Sequence, residues 1–393
     1  MRAASSRRTV AARTEALSAR RAPARGEASA PRDRAIRRAL LAWFDERRRD
    51  LPWRRDRDSY RVWVSEVMLQ QTRIDVVVPA YERFVGRFPD LRALARADED
   101  AVLAAWSGLG YYRRARSLHA AARLLVERGE RTFPRNPIAA RALPGVGEYT
   151  TAAVLSIAFD EPLAAVDGNV VRVLSRLERL GLPDGRGEPH RAIAERLLER
   201  ARPGDWNQAL MELGQTTCRP ISPDCGACPI ARSCRAHADD AVDQHPPTKP
   251  RRATERVALS LLVLRDRDGR VLLERGVFAH LPGMWLPLLD EPDVKPAKVA
   301  KATGTRRADG TGPPTHGFTH AILHRSFSVA VRTQTVSAAA LDRAASAASG
   351  KAARTRHRAE AGERRVFAPA DLASIGRSSL LTKALRVADE AHP

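Results

Sequence analysis

The sequence predicts an all-α region over residues 34–235, then a linker at 236–255 and a smaller α+β region over 256–393. Three observations carry this. Apolar residues recur at three- and four-residue spacing from Arg34 to about Leu213, strand-like runs are confined to the last third, and all four cysteines fall between the two. A chain of 393 residues also exceeds one ordinary core, so two domains with tails are expected.

The helical signal is carried by segments such as DRAIRRALLAWFDERR, SYRVWVSEVMLQQTRIDVVVPAYERFV and EDAVLAAWSGLGYYRRARSLHAAARLLVERG. Pro52, Pro79, Pro89, Pro134 and Pro137 punctuate them, and no alternating pattern interrupts them. After the cysteines, a polar stretch rich in proline reads as a linker. Arg256–Arg265 and RVLLERG, separated by Asp268-Gly269, read as a β-hairpin, and AILHRSFSVAVRTQTV as a further strand. The stretches 294–315 and 337–365 are rich in Ala, Lys, Arg and Gly and read as loose loops.

Lys and Arg number 67 against 46 acids, a formal net charge of +21, which favours a polyanionic partner such as nucleic acid. The alternative is a basic tail. Residues 1–34 hold nine Arg and three acids, which leaves +15 for the rest, so the basicity is not only a tail effect. Residues 1–33 lack the apolar core of a secretory signal and read as a disordered basic leader, with an organelle transit peptide as the alternative. No apolar run is long enough to span a bilayer, so no membrane partner is expected.

Cys218, Cys225, Cys228 and Cys234 follow C-x6-C-x2-C-x5-C. Disulfides would be spread along the chain, whereas four thiolates within one window can wrap one centre in a reducing compartment. Zinc sites more often use two C-x2-C knuckles, and only one is present. Iron–sulfur clusters accept less regular spacing.

Leu143-Pro144-Gly145-Val146-Gly147 separates two helical stretches. Gly145, Val146 and Gly147 can turn sharply and offer backbone N–H groups to a phosphate at a helix N-terminus. Such a hairpin positions a protein on DNA without reading bases. A packing turn between helices is the plainer alternative.

Two carboxylates stand out. Glu66 lies in VSEVMLQQT, where it is either on the outer face of an amphipathic helix, the reading that periodicity alone favours, or a partly buried functional acid. Asp167 in VDGN could be only a helix cap. As a pair they suit glycosidic-bond cleavage, which needs a proton on the leaving group and negative charge beside a developing oxocarbenium ion. Apolar surroundings would keep Glu66 protonated near neutral pH. Asp167 would stay ionised, supported by backbone amides or Asn169.

Leu51-Pro52-Trp53, SYRVWVSEVMLQQT, Gly108-Leu109-Gly110-Tyr111-Tyr112, LPGVG and VDGNV occur in the order and at the separations of MutY-type adenine DNA glycosylases, and the chain resembles that family. The cysteine spacing is similar to that of endonuclease III-like glycosylases, which implies a 4Fe-4S cluster. The resemblance implies that Glu66 is the acid acting on adenine N7 and Asp167 the carboxylate that stabilises the sugar cation. Gln71 and Tyr111 match residues that insert beside the lesion, and Gln70, Thr72 and Leu109 belong to the same DNA-facing set. Arg49, Trp53 and Gln208 fall where the family lines its adenine pocket. Tyr149 stands where bifunctional relatives carry a Schiff-base lysine, and a phenol cannot form that adduct.

Gly283-Met284-Trp285-Leu286-Pro287 and Phe318-Thr319-His320 resemble two landmarks of the family's Nudix-like C-terminal domain, the second being its sensor of 8-oxoguanine. Thr319 replaces the family's Ser, and Leu286 stands where the family has an acid. No G-x5-E-x7-R-E-x2-E-E-x-G pattern occurs in 256–393, so nucleoside diphosphate hydrolysis is not expected. The resemblance thus implies a monofunctional, monomeric, nucleoid-associated cytoplasmic enzyme of bacterial type. Its substrate would be double-stranded DNA with adenine opposite 8-oxoguanine or guanine. Two other readings stay open. An endonuclease III-like glycosylase for oxidised pyrimidines is disfavoured by Tyr149 and the C-terminal region, and a non-catalytic cluster-bearing DNA-binding protein by the paired carboxylates.

Overall fold

Helix α1 (Pro31–Arg47) starts on a proline, whose missing N–H costs nothing at a first helical position. It therefore takes up residues 31–33, which the sequence assigned to the leader. The computed structural model describes residues 30–183, 188–247, 253–276, 278–290, 316–346 and 362–390. The leader up to residue 29 and the loop expected at 294–315 lie outside the described residues.

Helices α2 (Ser59–Leu69), α3 (Ile74–Arg87), α4 (Leu91–Arg96), α5 (Glu99–Ala105), α6 (Arg113–Glu127) and α7 (Pro137–Arg141) follow. Asp58, Asp90 and Asn136 cap α2, α4 and α7 by accepting from the amides of Arg61, Ala93 and Ile138 at 2.9, 2.8 and 2.8 Å. Then come α8 (Glu148–Phe159), α9 (Gly168–Glu178), α10 (Glu188–Leu197), α11 (Pro203–Thr216) and the short α12 (Arg235–Ala238).

Two apolar cores lie within this helical part. One is built around Trp63, Phe84, Trp106, Leu118 and Val154, the other around Leu40, Phe44, Leu174, Trp206 and Leu210. The chain thus returns its first helix to pack with its last ones. Helix α8 is buried along Thr150–Ile157 and joins the two cores. A Cβ on Gly214 of α11 would lie 2.7 Å from the Asn169 Cβ, so only glycine lets α11 press against the start of α9.

The C-terminal part holds one sheet in the order β3-β2-β1-β6-β5, with β4 on β1 and β7 on β2. Its strands are β1 (Glu255–Arg265), β2 (Val271–Arg275), β3 (Trp285–Leu286), β4 (Leu288–Leu289), β5 (His316–Ile322), β6 (Arg325–Thr335) and β7 (Glu363–Phe367). β1 and β6 run parallel and the other pairs antiparallel. The β1–β2 hairpin appears where the sequence placed it. The run expected as one strand is instead the end of β5, a turn at Leu323-His324 and β6. The stretch 337–365 is not all loop, since α13 (Ala338–Ser346) and β7 lie at its two ends. Helix α14 (Ser379–Glu390) closes the sheet's core with Leu380, Leu381 and Ala384. Among the described residues no helix is long and apolar enough to cross a membrane.

Candidate active site

The two helical cores leave a cleft between them with about 2640 Å³ of open space. Glu66 reaches it from α2, Tyr149 from the first turn of α8, and Asp167 from the cap of α9. Glu66 is only 5% exposed, because Val62 to Met68 are buried on every side of α2. The outer-face position suggested by periodicity is therefore wrong. The helix is enclosed rather than amphipathic.

The Tyr149 hydroxyl donates to Glu66 Oε2 at 2.7 Å and also lies 3.1 Å from the Met211 sulfur. Burial pushes the Glu66 carboxyl up to about 7, against the Tyr149 hydrogen bond; the nearby Asp167 charge adds to the rise and Arg54 opposes it. A carboxyl raised in this way keeps its proton closer to neutral pH than a free one does, a condition suited to an acid catalyst.

Asp167 is both a cap and a wall of the cleft. Its Oδ1 accepts from Val170 N and its Oδ2 from Asn169 Nδ2, each at 2.7 Å. Burial raises its pKa, while these bonds pull it back. The approach to Asp167 is fixed by the buried Asn207. Its amide donates to Ser156 Oγ and Leu163 O at 2.8 Å, and its oxygen accepts from Ala165 N at 3.1 Å.

Arg49, Trp53 and Gln208 also line the cleft. Trp53 is 5% exposed and meets Tyr81 edge-on at 5.3 Å, so it is a wall fixed from behind. Sequence reading missed Glu212 and Arg54. Glu212 is buried, accepts from Arg49 N and Nε at 3.0 and 3.2 Å, and pairs with Arg54 Nη1 at 2.6 Å. The available signal was an acid inside the apolar run ALMELG, the same anomaly that marks Glu66.

Gln70, Gln71 and Thr72 form the rim where the cleft continues into a groove passing Tyr111, Arg113 and Gly145. Gln71 and Tyr111 take positive φ, 60° and 48°, although neither is glycine. Such strain persists only where surroundings over-determine it. Arg114, also missed from sequence, supplies part of that constraint. Its guanidinium donates to the carbonyls of Val67 and Met68 at 2.9 and 2.8 Å, to Thr72 Oγ1 at 3.0 Å and to Leu109 O at 3.1 Å.

Leu109 and Val146 do not offer their side chains, being 5% and 6% exposed. Leu109 holds its loop in place. Val146 anchors the Gly145–Gly147 hairpin and donates its own amide to Leu143 O at 3.2 Å; the first amides of α8 have no partner within the helix and no side-chain cap. Gly145 has φ 75°, and a Cβ there would meet the Ser117 Cβ at 2.6 Å.

Phe318, Thr319 and His320 are not among the residues lining the cleft or the groove. Phe318 packs on the sheet's core under the Lys383 ammonium, 5.7 Å from its ring. His320 is buried, and that burial together with Lys383 lowers its pKa. Thr319 is exposed between them.

The four cysteines line one small, largely apolar pocket against Val173 and Leu177 of α9. Arg176 Nη1 lies 3.3 Å from Cys218 Sγ, and Arg172 Nε donates to Cys218 O at 2.8 Å. Among the described residues no group of three or more His, Cys, Asp or Glu side chains is arranged to hold a metal ion. A lone ion draws its ligands to within about 2.0–2.3 Å of one point. A polynuclear cluster is bound at its corners and keeps the thiolates farther apart, so four thiols on one cavity fit such a cluster better than a single ion.

Residues 64–203 match the family model of HhH-GPD superfamily base excision DNA repair proteins. The adenine DNA glycosylase of Rattus norvegicus is 47% identical over 215 residues, which cover 52% of this chain and 42% of that protein. The adenine DNA glycosylase of Buchnera aphidicola subsp. Acyrthosiphon pisum is 30% identical over 295 residues, covering 72% of this chain and 83% of the relative. A solved thermostable thymine-DNA glycosylase is 29% identical with a TM-score of 0.49, over 53% of this chain and 97% of that one. The match thus spans less than half the length of the rat relative.

Proposed function

We propose, from the premise that this chain belongs to the MutY-type adenine DNA glycosylase family, that it hydrolyses the N-glycosidic bond of adenine opposite 8-oxoguanine or guanine in double-stranded DNA. The observation that carries the reading is the buried Glu66 carboxyl, bonded to Tyr149 and pushed up to about 7, in one cleft with Asp167. Glu66 gives its proton to the purine at N7, and the C1′–N9 bond breaks with its electron pair going to the base. Asp167 faces the oxocarbenium-like sugar and stabilises its charge. Water then adds to C1′, and its proton restores a carboxylic acid. Arg49, Trp53, Gln208 and Glu212 enclose the base, which must leave the stack to reach them. Gln71 and Tyr111 fill the opened stack, and backbone amides of Gly145, Gly147 and the first turn of α8 hold the DNA backbone.

The reaction stops at base removal. Tyr149 offers no amine, and the chain carries no lysine before Lys249. The four cysteines would hold a 4Fe-4S cluster, which would cross-link the 218–234 loop to itself where it packs against α9. Residues 34–235 form the catalytic domain, and 256–393 form a Nudix-like domain in which Phe318–His320 senses the lesion. The protein works as a monomer on the nucleoid.

The test is single-turnover base release on duplexes carrying adenine opposite 8-oxoguanine, guanine and thymine, and on a duplex with an oxidised pyrimidine. Adenine release fastest opposite 8-oxoguanine, with strands that break only after alkali, is expected. Excision of the pyrimidine with direct nicking would replace this reading by a bifunctional one. Binding without any release would make the protein a non-catalytic one.

A further inference from the structure

Tyr111 and Tyr112 are adjacent and face different neighbours. Tyr111 is 47% exposed on the groove, whereas Tyr112 is buried and its phenol donates to the Arg377 carbonyl at 2.6 Å. The amide of the same Arg377 donates to Ser107 Oγ at 3.2 Å. One residue of the C-terminal region therefore holds both ends of the loop 107–112.

The surroundings make this a firm seat. A Cβ on Gly376 would lie 2.5 Å from the Leu103 Cβ, so the chain there runs directly on α5. Met284 joins the first helical core, Arg275 pairs with Asp100 at 2.9 Å, and Arg116 donates to the Pro282 carbonyl. From inside, the loop is tied by Trp106 Nε1 to Gly110 O at 3.2 Å and by Arg114. Its own backbone is permissive, with Gly108 at φ 95° and Gly110 at φ 66° on either side of Leu109. In such a loop the φ of 48° at Tyr111 rests on the ties around it, those to Arg377 among them.

We propose that Ser107 and Tyr112 are positioning residues through which the C-terminal region sets the stance of Tyr111. The inference rests on the reading of Tyr111 as a side chain inserted into DNA. Neither positioning residue touches DNA. Their effect passes through the loop, so engagement of the C-terminal region with the lesion strand and opening of the base pair become one coupled event.

The test uses the full chain and a duplex with adenine opposite 8-oxoguanine and 2-aminopurine beside the adenine. The rise in 2-aminopurine fluorescence on binding reports unstacking, and single-turnover rates opposite 8-oxoguanine and guanine report discrimination. Loss of one neutral hydrogen bond in Tyr112→Phe is expected to lower the fluorescence rise and the rate ratio about three- to tenfold, with little change in thermal midpoint. Ser107→Ala should do the same and Ser107→Thr should restore it, a rescue that loss of packing would not give. If Tyr112→Phe fails to fold, the Ser107 pair decides. Native fluorescence and native discrimination in Ser107→Ala and Tyr112→Phe, alongside a loss in Tyr111→Ala, would overturn the clamp alone. An unaltered signal in Tyr111→Ala would remove the inserted role of Tyr111 and the clamp with it.

Discussion

In the helical region Glu66, Tyr149 and Asp167 come from three helices and meet in one cleft, whereas in the sheet region Phe318, Thr319 and His320 are consecutive on the edge strand β5 and alternate across it. The first group is assembled before any ligand arrives. Its hydrogen bonds and its raised carboxyl depend on exclusion of water, which only convergence from several elements provides. The second group presents outward the side chain of Thr319 alone, the other two being taken up by the core and Lys383. Bond cleavage needs a closed, low-dielectric site, and recognition at an edge can rest on one exposed group.

Glu66→Gln should separate the two regions most sharply. The amide still accepts from Tyr149 but has no proton to give, so single-turnover base release should fall by about 10²–10⁴-fold while duplex binding persists. Stability should move the other way. Burial pushes the Glu66 carboxyl up to about 7, above its ordinary value of 4.5, so between those values the fold holds a proton that the unfolded chain has lost. The stability tied to that proton is complete below about 4.5 and is lost as pH rises through 7. Above pH 7 Glu66→Gln should therefore exceed the native protein by about 3 kcal/mol, a gap that closes toward pH 4.5. Urea melts at pH 5 and pH 8 check it. A gap that does not widen with pH would mean that Glu66 is not strained by its burial.

How much of this was legible follows from where the constraint came from. Residue types and separations pointed to Glu66, Asp167 and the hairpin, because glycosidic chemistry and a tight turn each demand particular groups. Burial was not legible from periodicity, only from the demands of the chemistry. A helix enclosed by neighbours has no polar face, so the periodicity that located α2 put Glu66 on the wrong side, and Glu212 in α11 escaped for the same reason. Strand β7 was hidden in ERRVF, whose Arg364 makes sense only opposite Glu274 of β2, at 3.2 Å. The turn between β5 and β6 carries no turn dipeptide, since Leu323 itself adopts φ 56°. Ties such as Tyr112 to Arg377 span 265 positions and leave no local trace.

The cysteine centre tests whether the helical region has a second preassembled site. Protein purified without oxygen should carry iron and no zinc, with a visible absorption band. Cys228→Ser should lose both iron and band, because a serine hydroxyl is a poor substitute for thiolate. Zinc in place of iron would remove the cluster. Loss of iron should also loosen the loop that Arg172 and Arg176 grip, lowering the thermal midpoint while Glu66 and Asp167 stay in place.

The smallest expected effect tests the sheet region's side of the comparison. Since Thr319 is the exposed member of its segment, Thr319→Ala should cost the preference for 8-oxoguanine over guanine opposite adenine about three- to tenfold, the worth of one hydrogen bond. Thr319→Ser keeps the hydroxyl and should change the ratio by less than about twofold. His320→Ala acts differently. It empties a buried position beside Lys383, so its loss should appear in the thermal midpoint as well as in the ratio. The ratio of single-turnover rates, taken at one salt concentration because phosphate contacts make affinity salt-dependent, is the measurement. An unchanged ratio in Thr319→Ala would mean that the edge strand does not read the lesion through its exposed side chain. Discrimination would then have to arise in the groove beside Gln71 and Tyr111.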